Sequence, residues 1–401
     1  MINISKLENN AENLFIIFLF SYPFFAALNL FIKFQNIYFS TIKYIIFYLV
    51  LLLFIKKFSF KLNFLKSFFL LYLFLFFVLI WLSYSEIIFI KFLISTFFIC
   101  LISIFLKFEL SKINFNKLSL ILFGFILFFF IKLFFNFELT HQIRNFFYKD
   151  IVGIRVGSFN LNPISLCMYC LITVFFFERS TLKFKEIFQF ILIFIALITG
   201  SRGPFIGFFF SIILTSLIFI KKINYYFIIK SLLLIFASSL INMLYIIINK
   251  NLLLTNFYFS DALLRFLNMF VEKYSDKADT FRYDIFNHFV LGQKNIDVSL
   301  YDLKGETFYH NIFIESYKLF PPFFLLLLLI IACTYLISLS KNFRKKKNNI
   351  LLVFMFNFFL INSFYSGFLP RDEFLFISIS LIFSQTKIYS LIPKLKIFEI
   401  K

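Results

Sequence analysis

The chain has 401 residues, of which 61% are hydrophobic and 15% charged, with a formal net charge of +20. A water-soluble globular chain sits nearer half and a quarter, so a soluble domain is excluded. Apolar runs of roughly 17 to 25 residues, without the period-2 alternation of an outer-membrane barrel, instead predict an all-α polytopic transmembrane helical bundle.

The first apolar run continues from Leu14 to Ile32, too long for the core of a cleavable signal peptide. It opens about twelve predicted spans, at 14–32, 37–55, 67–83, 87–106, 118–137, 160–177, 186–200, 203–220, 224–248, 312–338, 349–367 and 372–387. The chain 1–401 is read as a single membrane domain, with a large outer loop at 249–311 between spans nine and ten. The 73 Phe are read as lipid-facing bulk. Cys100, Cys167, Cys170 and Cys333 fall inside spans. Cys167 and Cys170 have CxxC spacing, but no second pair or nearby His completes a metal site.

Lys and Arg set the orientation. Basic clusters recur at every second connection: Lys56, Lys57, Lys61 and Lys66; Lys107, Lys112 and Lys117; Arg179, Lys183 and Lys185; Lys221 and Lys222; Lys341 with Arg344 to Lys347; Lys394, Lys396 and Lys401. With twelve spans all of these share the cytoplasmic face, as do both termini. This assigns the net charge to topology rather than to nucleic acid. The alternate connections face outward. In the large loop Phe259, Leu263, Phe266, Leu267 and Phe270 form a helical stripe opposite Arg265, Asn268 and Glu272, predicting an amphipathic helix on the membrane surface. A second short helix, about Thr280 to Leu291, would end at Gly292.

Lys and Arg are not distributed alike. Most Lys fall inside, whereas Arg144, Arg155, Arg202, Arg265, Arg282 and Arg371 fall outside. A guanidinium binds phosphate or carboxylate through a planar fork and never loses its charge, so this bias predicts an anion-binding outer face. Scattered surface salt bridges are the alternative reading. Pro163, Pro204, Pro321, Pro322 and Pro370 lie near the outer starts of spans. There proline costs little, and the free N–H groups of a helix start favour an anion. Gly153, Gly157, Gly200, Gly203 and Gly207 flank the same openings. The segment Thr199-Gly200-Ser201-Arg202-Gly203-Pro204 concentrates these features. A tight, closely packed turn explains its glycines but not its arginine. His310-Asn311 stands at the mouth of the tenth span, and Glu315 follows five residues after His310. A neutral imidazole accepts a proton near neutral pH. A carboxylate at a membrane edge is costly unless paired or functional. His141 and His288 are read as ordinary loop residues.

These residues resemble the O-antigen ligase and O-antigen polymerase superfamily. The resemblance covers roughly residues 150–340. It rests on Arg155-Val156-Gly157-Ser158-Phe159 followed by Asn162-Pro163, on Thr199 to Pro204, on Arg282 in a short helix leading to Gly292, and on His310-Asn311 with Glu315. Pro321-Pro322-Phe323-Phe324 stands where ligases commonly show a Gly-x-x-Gly-like turn; the helix entry is kept but the glycines are not, which weakens a ligase assignment more than membership of the superfamily. The resemblance implies transfer of a glycan from an undecaprenyl-diphosphate carrier to a sugar hydroxyl at the outer face of the cytoplasmic membrane. Arg202 and Arg282 would clamp the diphosphate leaving group, with Arg155 in support. His310 would orient or deprotonate the acceptor, and Asn311, Glu315, Ser201 and Gly203 would line the site. The implied partners are the undecaprenyl-diphosphate-linked oligosaccharide, the lipid bilayer and a chain-length regulator, with no nucleic acid, metal or other cofactor. A ligase joining glycan to lipid A–core or protein remains an alternative. So does a flippase or transporter, for which Lys43, Lys91, Lys132, Lys230 and Lys318 are the candidate path residues.

Overall fold

A computed structural model describes residues 11–31, 64–83, 87–105, 110–135, 163–198, 202–219, 227, 229–237, 240, 302–303, 306–307, 312–346, 348–366 and 373–385. Those residues are almost entirely α-helical. The chain divides into two compact units: Met1–Lys56, Glu109–Phe210 and Ile223–Thr280 form the first, and Lys57–Phe108, Ser211–Lys222 and Phe281–Lys401 the second.

The first unit holds α1 (Ala11–Leu19), α2 (Tyr22–Phe31), α5 (Phe115–Phe135), α6 (Pro163–Arg179) and α7 (Lys185–Ile198). Between α2 and α5 in the chain come α3 (Phe64–Ser83) and α4 (Ile87–Phe105) of the second unit. Helix α6 is the centre of the first unit. It packs on α5 and α7, and every residue from Tyr169 to Phe177 is buried. Phe20 meets Tyr169 and Phe176 edge-on at 6.1 and 5.7 Å, and Phe177 stacks on Phe188 at 5.2 Å. Such ring pairs contribute roughly 0.5–1.5 kcal/mol each beyond area burial. Cys167 and Cys170 are buried, unbridged packing residues of this helix.

Helix α8 (Arg202–Ile218) begins in the first unit and ends in the second. The second unit adds α9 (Ile312–Leu319), α10 (Pro321–Leu339), α11 (Lys341–Lys345), α12 (Asn349–Ser366) and α13 (Glu373–Ser384). Here α12 is the buried helix, enclosed from Ile350 to Phe359. One polar chain crosses this packing. The Tyr335 hydroxyl donates to Asn357 Oδ1 at 2.8 Å, and Asn357 Nδ2 donates to Thr215 Oγ1 at 3.1 Å. It joins α10, α12 and the last turns of α8.

Tyr72 of α3 stacks on Phe323 at 4.8 Å. Its hydroxyl is buried and has no hydrogen-bond partner among the described residues. A buried orphan hydroxyl costs roughly 1–3 kcal/mol. Tyr72→Phe should therefore leave thermal stability unchanged or raise it by about 1 kcal/mol. A lower melting temperature would show that the hydroxyl has a stabilising partner.

Eight of the predicted spans have a described helix close to the same bounds; 37–55 lies outside the described residues, and of 224–248 only residues 227, 229–237 and 240 are described. Two predicted spans are each broken into two helices. The run 14–32 divides at Phe20–Ser21. Pro23, in the first turn of α2, has no N–H and would clash with the carbonyl of Leu19 in a continuous helix. The Ser21 hydroxyl donates instead to Phe18 O at 2.7 Å. The run 312–338 divides at Phe320, held extended (φ −168°, ψ 111°) ahead of Pro321-Pro322. Helix α10 is long and apolar enough to cross a membrane, with a mean hydropathy of 2.5. Shorter apolar helical stretches run Lys66–Leu79, Thr96–Phe105, Phe115–Ile131, Gly203–Ile218, Asn349–Phe364 and Phe374–Ser384. Within 249–311 the described residues form a small antiparallel hairpin, β1 (Asp302–Leu303) with β2 (Glu306–Thr307). The two amphipathic helices expected in that loop lie outside the described residues.

Candidate functional site

Three helix starts carry the features that the sequence singled out. Helix α6 opens on Pro163, α10 on Pro321-Pro322, and α8 on Arg202 with Gly203 and Pro204 in its first turn. In each the proline sits where a missing N–H is least costly. Pro204 and Gly207 are buried while Gly203 is partly exposed. Arg202 is the first helical residue of α8. A cation there adds to the positive end of the helix dipole instead of offsetting it.

Glu315 lies in α9, ahead of the Pro-Pro start of α10. The expectation that it sits inside a continuous tenth span is therefore revised: it belongs to a separate eight-residue helix. Helix α9 packs on α10, α12 and α3. Ile312 and Ser316 are buried and Tyr317 is half exposed. Phe313 lies 6.3 Å from Phe324 and 6.0 Å from Phe364, fixing α9 against the first turn of α10 and the last turn of α12. His310 and Asn311 directly precede α9 in the chain and lie outside the described residues. So do Ser201, Arg155 and Arg282. Arg202 belongs to the first unit and Glu315 to the second.

The best-defined charge cluster was not foreseen as one. Lys230 Nζ lies 3.1 Å from Glu178 Oε2 and 2.9 Å from Glu186 Oε1, although Lys230 itself is only 8% exposed. Gln189 Nε2 donates to Val174 O at 3.1 Å and to Glu178 Oε2 at 3.4 Å, and Lys185 Nζ stands 4.0 Å from the same carboxylate oxygen. Burial lowers the pKa of the adjacent Arg179 from its ordinary value, and Glu178 raises it in part. The cluster ties the end of α6 and the start of α7 to the helical segment 229–237. Lys230 was read as a path residue for a transporter; here its ammonium is occupied by two carboxylates. The side chains of Lys43, Lys91, Lys132 and Lys318 lie outside the described residues. A carboxylate at the end of one apolar run and another at the start of the next was the available signal. Their shared partner, 44 residues beyond the nearer one, was not.

Comparison of the chain with protein-family models, with curated proteins and with solved structures finds no match.

Proposed function

We propose that the chain is a multi-span membrane glycosyltransferase that extends a surface polysaccharide. It would move a glycan from a lipid-diphosphate carrier to a sugar hydroxyl at the outer face of the membrane. The observation that carries this reading is Arg202 at the first residue of the apolar helix α8. A cationic residue at a helix start, together with the N–H groups there, suits the charge that develops on a departing diphosphate. Arg282 and Arg155 assist it, His310 handles the acceptor proton, and Asn311, Glu315, Ser201 and Gly203 complete the site.

The membrane part of the reading is supported by the outward face of α10. Leu325, Leu328, Leu329, Leu336 and Leu339 are exposed, while Thr334 and Ser338 are buried among Phe323, Leu327, Ile330 and Ile337. Lipid accepts such an apolar outer face. Contacts within each unit also agree with the predicted sidedness. Asn13 accepts from the N–H of Asn114 at 2.7 Å, Asn116 accepts from the N–H of Thr181 at 2.8 Å, and Lys230 meets Glu178 and Glu186. Asn13, Asn114, Asn116, Thr181 and Glu178 fall on the predicted cytoplasmic face, and Glu186 and Lys230 in the inner parts of predicted spans 186–200 and 224–248. Phe313 with Phe364 joins the predicted outer ends of spans 312–338 and 349–367.

The test is His310→Ala, with surface glycan chain length read on a gel. Loss of a general base costs roughly 10²–10⁴-fold in rate, so long chains should disappear. A single repeat unit on the core supports the polymerase. Long chains retained on carrier lipid, with a bare core, support a ligase instead. A normal ladder at normal expression removes His310 from the mechanism.

A further inference from the structure

Helix α10 is followed at once by the short helix α11 and the run Lys341, Arg344, Lys345, Lys346 and Lys347. We infer that this turn is a seat for anionic phospholipid headgroups, a surface that orients the second unit at the membrane edge. The inference rests on the membrane reading above.

The turn is built and ordered. Ser340 ends α10, its N–H donating to Ile337 O at 3.0 Å, and its own carbonyl accepts from the N–H of Arg344 at 3.0 Å. Phe343 is buried, and Asn349 Nδ2 donates to its carbonyl at 2.9 Å. That anchor turns the rest of the segment outward: Lys341, Arg344, Lys345 and Lys346 are all exposed. Just above them α10 exposes Leu336 and Leu339, so an apolar belt gives way to a basic one over a single helical turn.

The local charge is not balanced along the chain. Between Glu315 and Asp372 there is no acidic residue. A basic belt directly below an apolar one matches the phosphate layer of a bilayer, where each cation gains about 1 kcal/mol.

The test uses the full chain in vesicles of phosphatidylcholine alone or mixed equally with phosphatidylglycerol. Phosphatidylglycerol retained on the extracted protein is counted by native mass spectrometry. Wild type should retain it preferentially, and less so as salt rises. Each of K341Q, R344Q, K345Q and K346Q should weaken retention roughly fivefold at low salt, and the quadruple variant should lose the preference. R344K, which keeps the charge, should behave as wild type. A membrane-bound quadruple variant with unchanged retention, or a wild-type preference indifferent to salt, overturns the lipid seat and leaves the membrane reading standing. Release of the wild-type chain from membranes by alkaline carbonate without detergent overturns both.

Discussion

Arg202→Ala is expected to slow chain extension by roughly 10²–10³-fold while the protein accumulates normally in membranes. The loss should be large because Arg202 combines two terms. It supplies a charge that never titrates, and it stands at the start of α8, where the N–H groups already favour an anion. Removing it relieves the free chain of an unfavourable cation at a positive dipole end, so folding should not suffer. That asymmetry, activity lost with stability kept or raised, is what separates an anion-binding role from a packing role. Arg202→Lys should fall between the two, because an ammonium keeps the charge but loses the two-pronged geometry. The assay is elongation of the host's own lipid-linked repeat unit in isolated membranes. An alanine variant that elongates at the normal rate would remove Arg202 from the site.

Lys230→Met should have the largest effect on stability. Lys230 is nearly enclosed, and its two partners differ: the Glu178 side chain is 21% exposed and that of Glu186 51%. Deleting one member of a buried ion pair costs roughly 3–5 kcal/mol. Water reaching Glu186 screens part of this, leaving an expected loss of about 2–3 kcal/mol. The triple variant K230M/E178Q/E186Q removes the stranded charges along with the cation. It should recover most of the lost stability, a coupling that a purely steric effect would not produce. Thermal unfolding in detergent reads both. If the single and triple variants melt equally low, the loss comes from packing and not from charge.

Helix positions were legible from the sequence because length and apolar content alone define a run. The expected 67–83 and 349–367 meet Phe64–Ser83 and Asn349–Ser366. The two broken runs were legible in principle. Pro23 and Pro321-Pro322 are breakers in plain view, but a hydropathy profile averages over a one-residue interruption. What could not be read were pairings set by the tertiary fold. Asn357 and Thr215 are 142 residues apart, and Lys230 is 52 residues from Glu178. No local period connects them. At the site, the helix start at Arg202 was legible because glycine and proline punctuate it. The separation of Glu315 from the following span is marked by Pro321-Pro322, the breaker already noted.

The leucine face of α10 bears on how such a sequence changes over time. A fluid bilayer has no fixed shape to complement, so Leu325, Leu328, Leu329 and Leu336 can drift among apolar residues at little cost. Tyr335, Asn357 and Thr215 cannot drift singly, because each holds a partner that would be left stranded. In related chains the outward face should be the noisy one and the thin polar seam the quiet one.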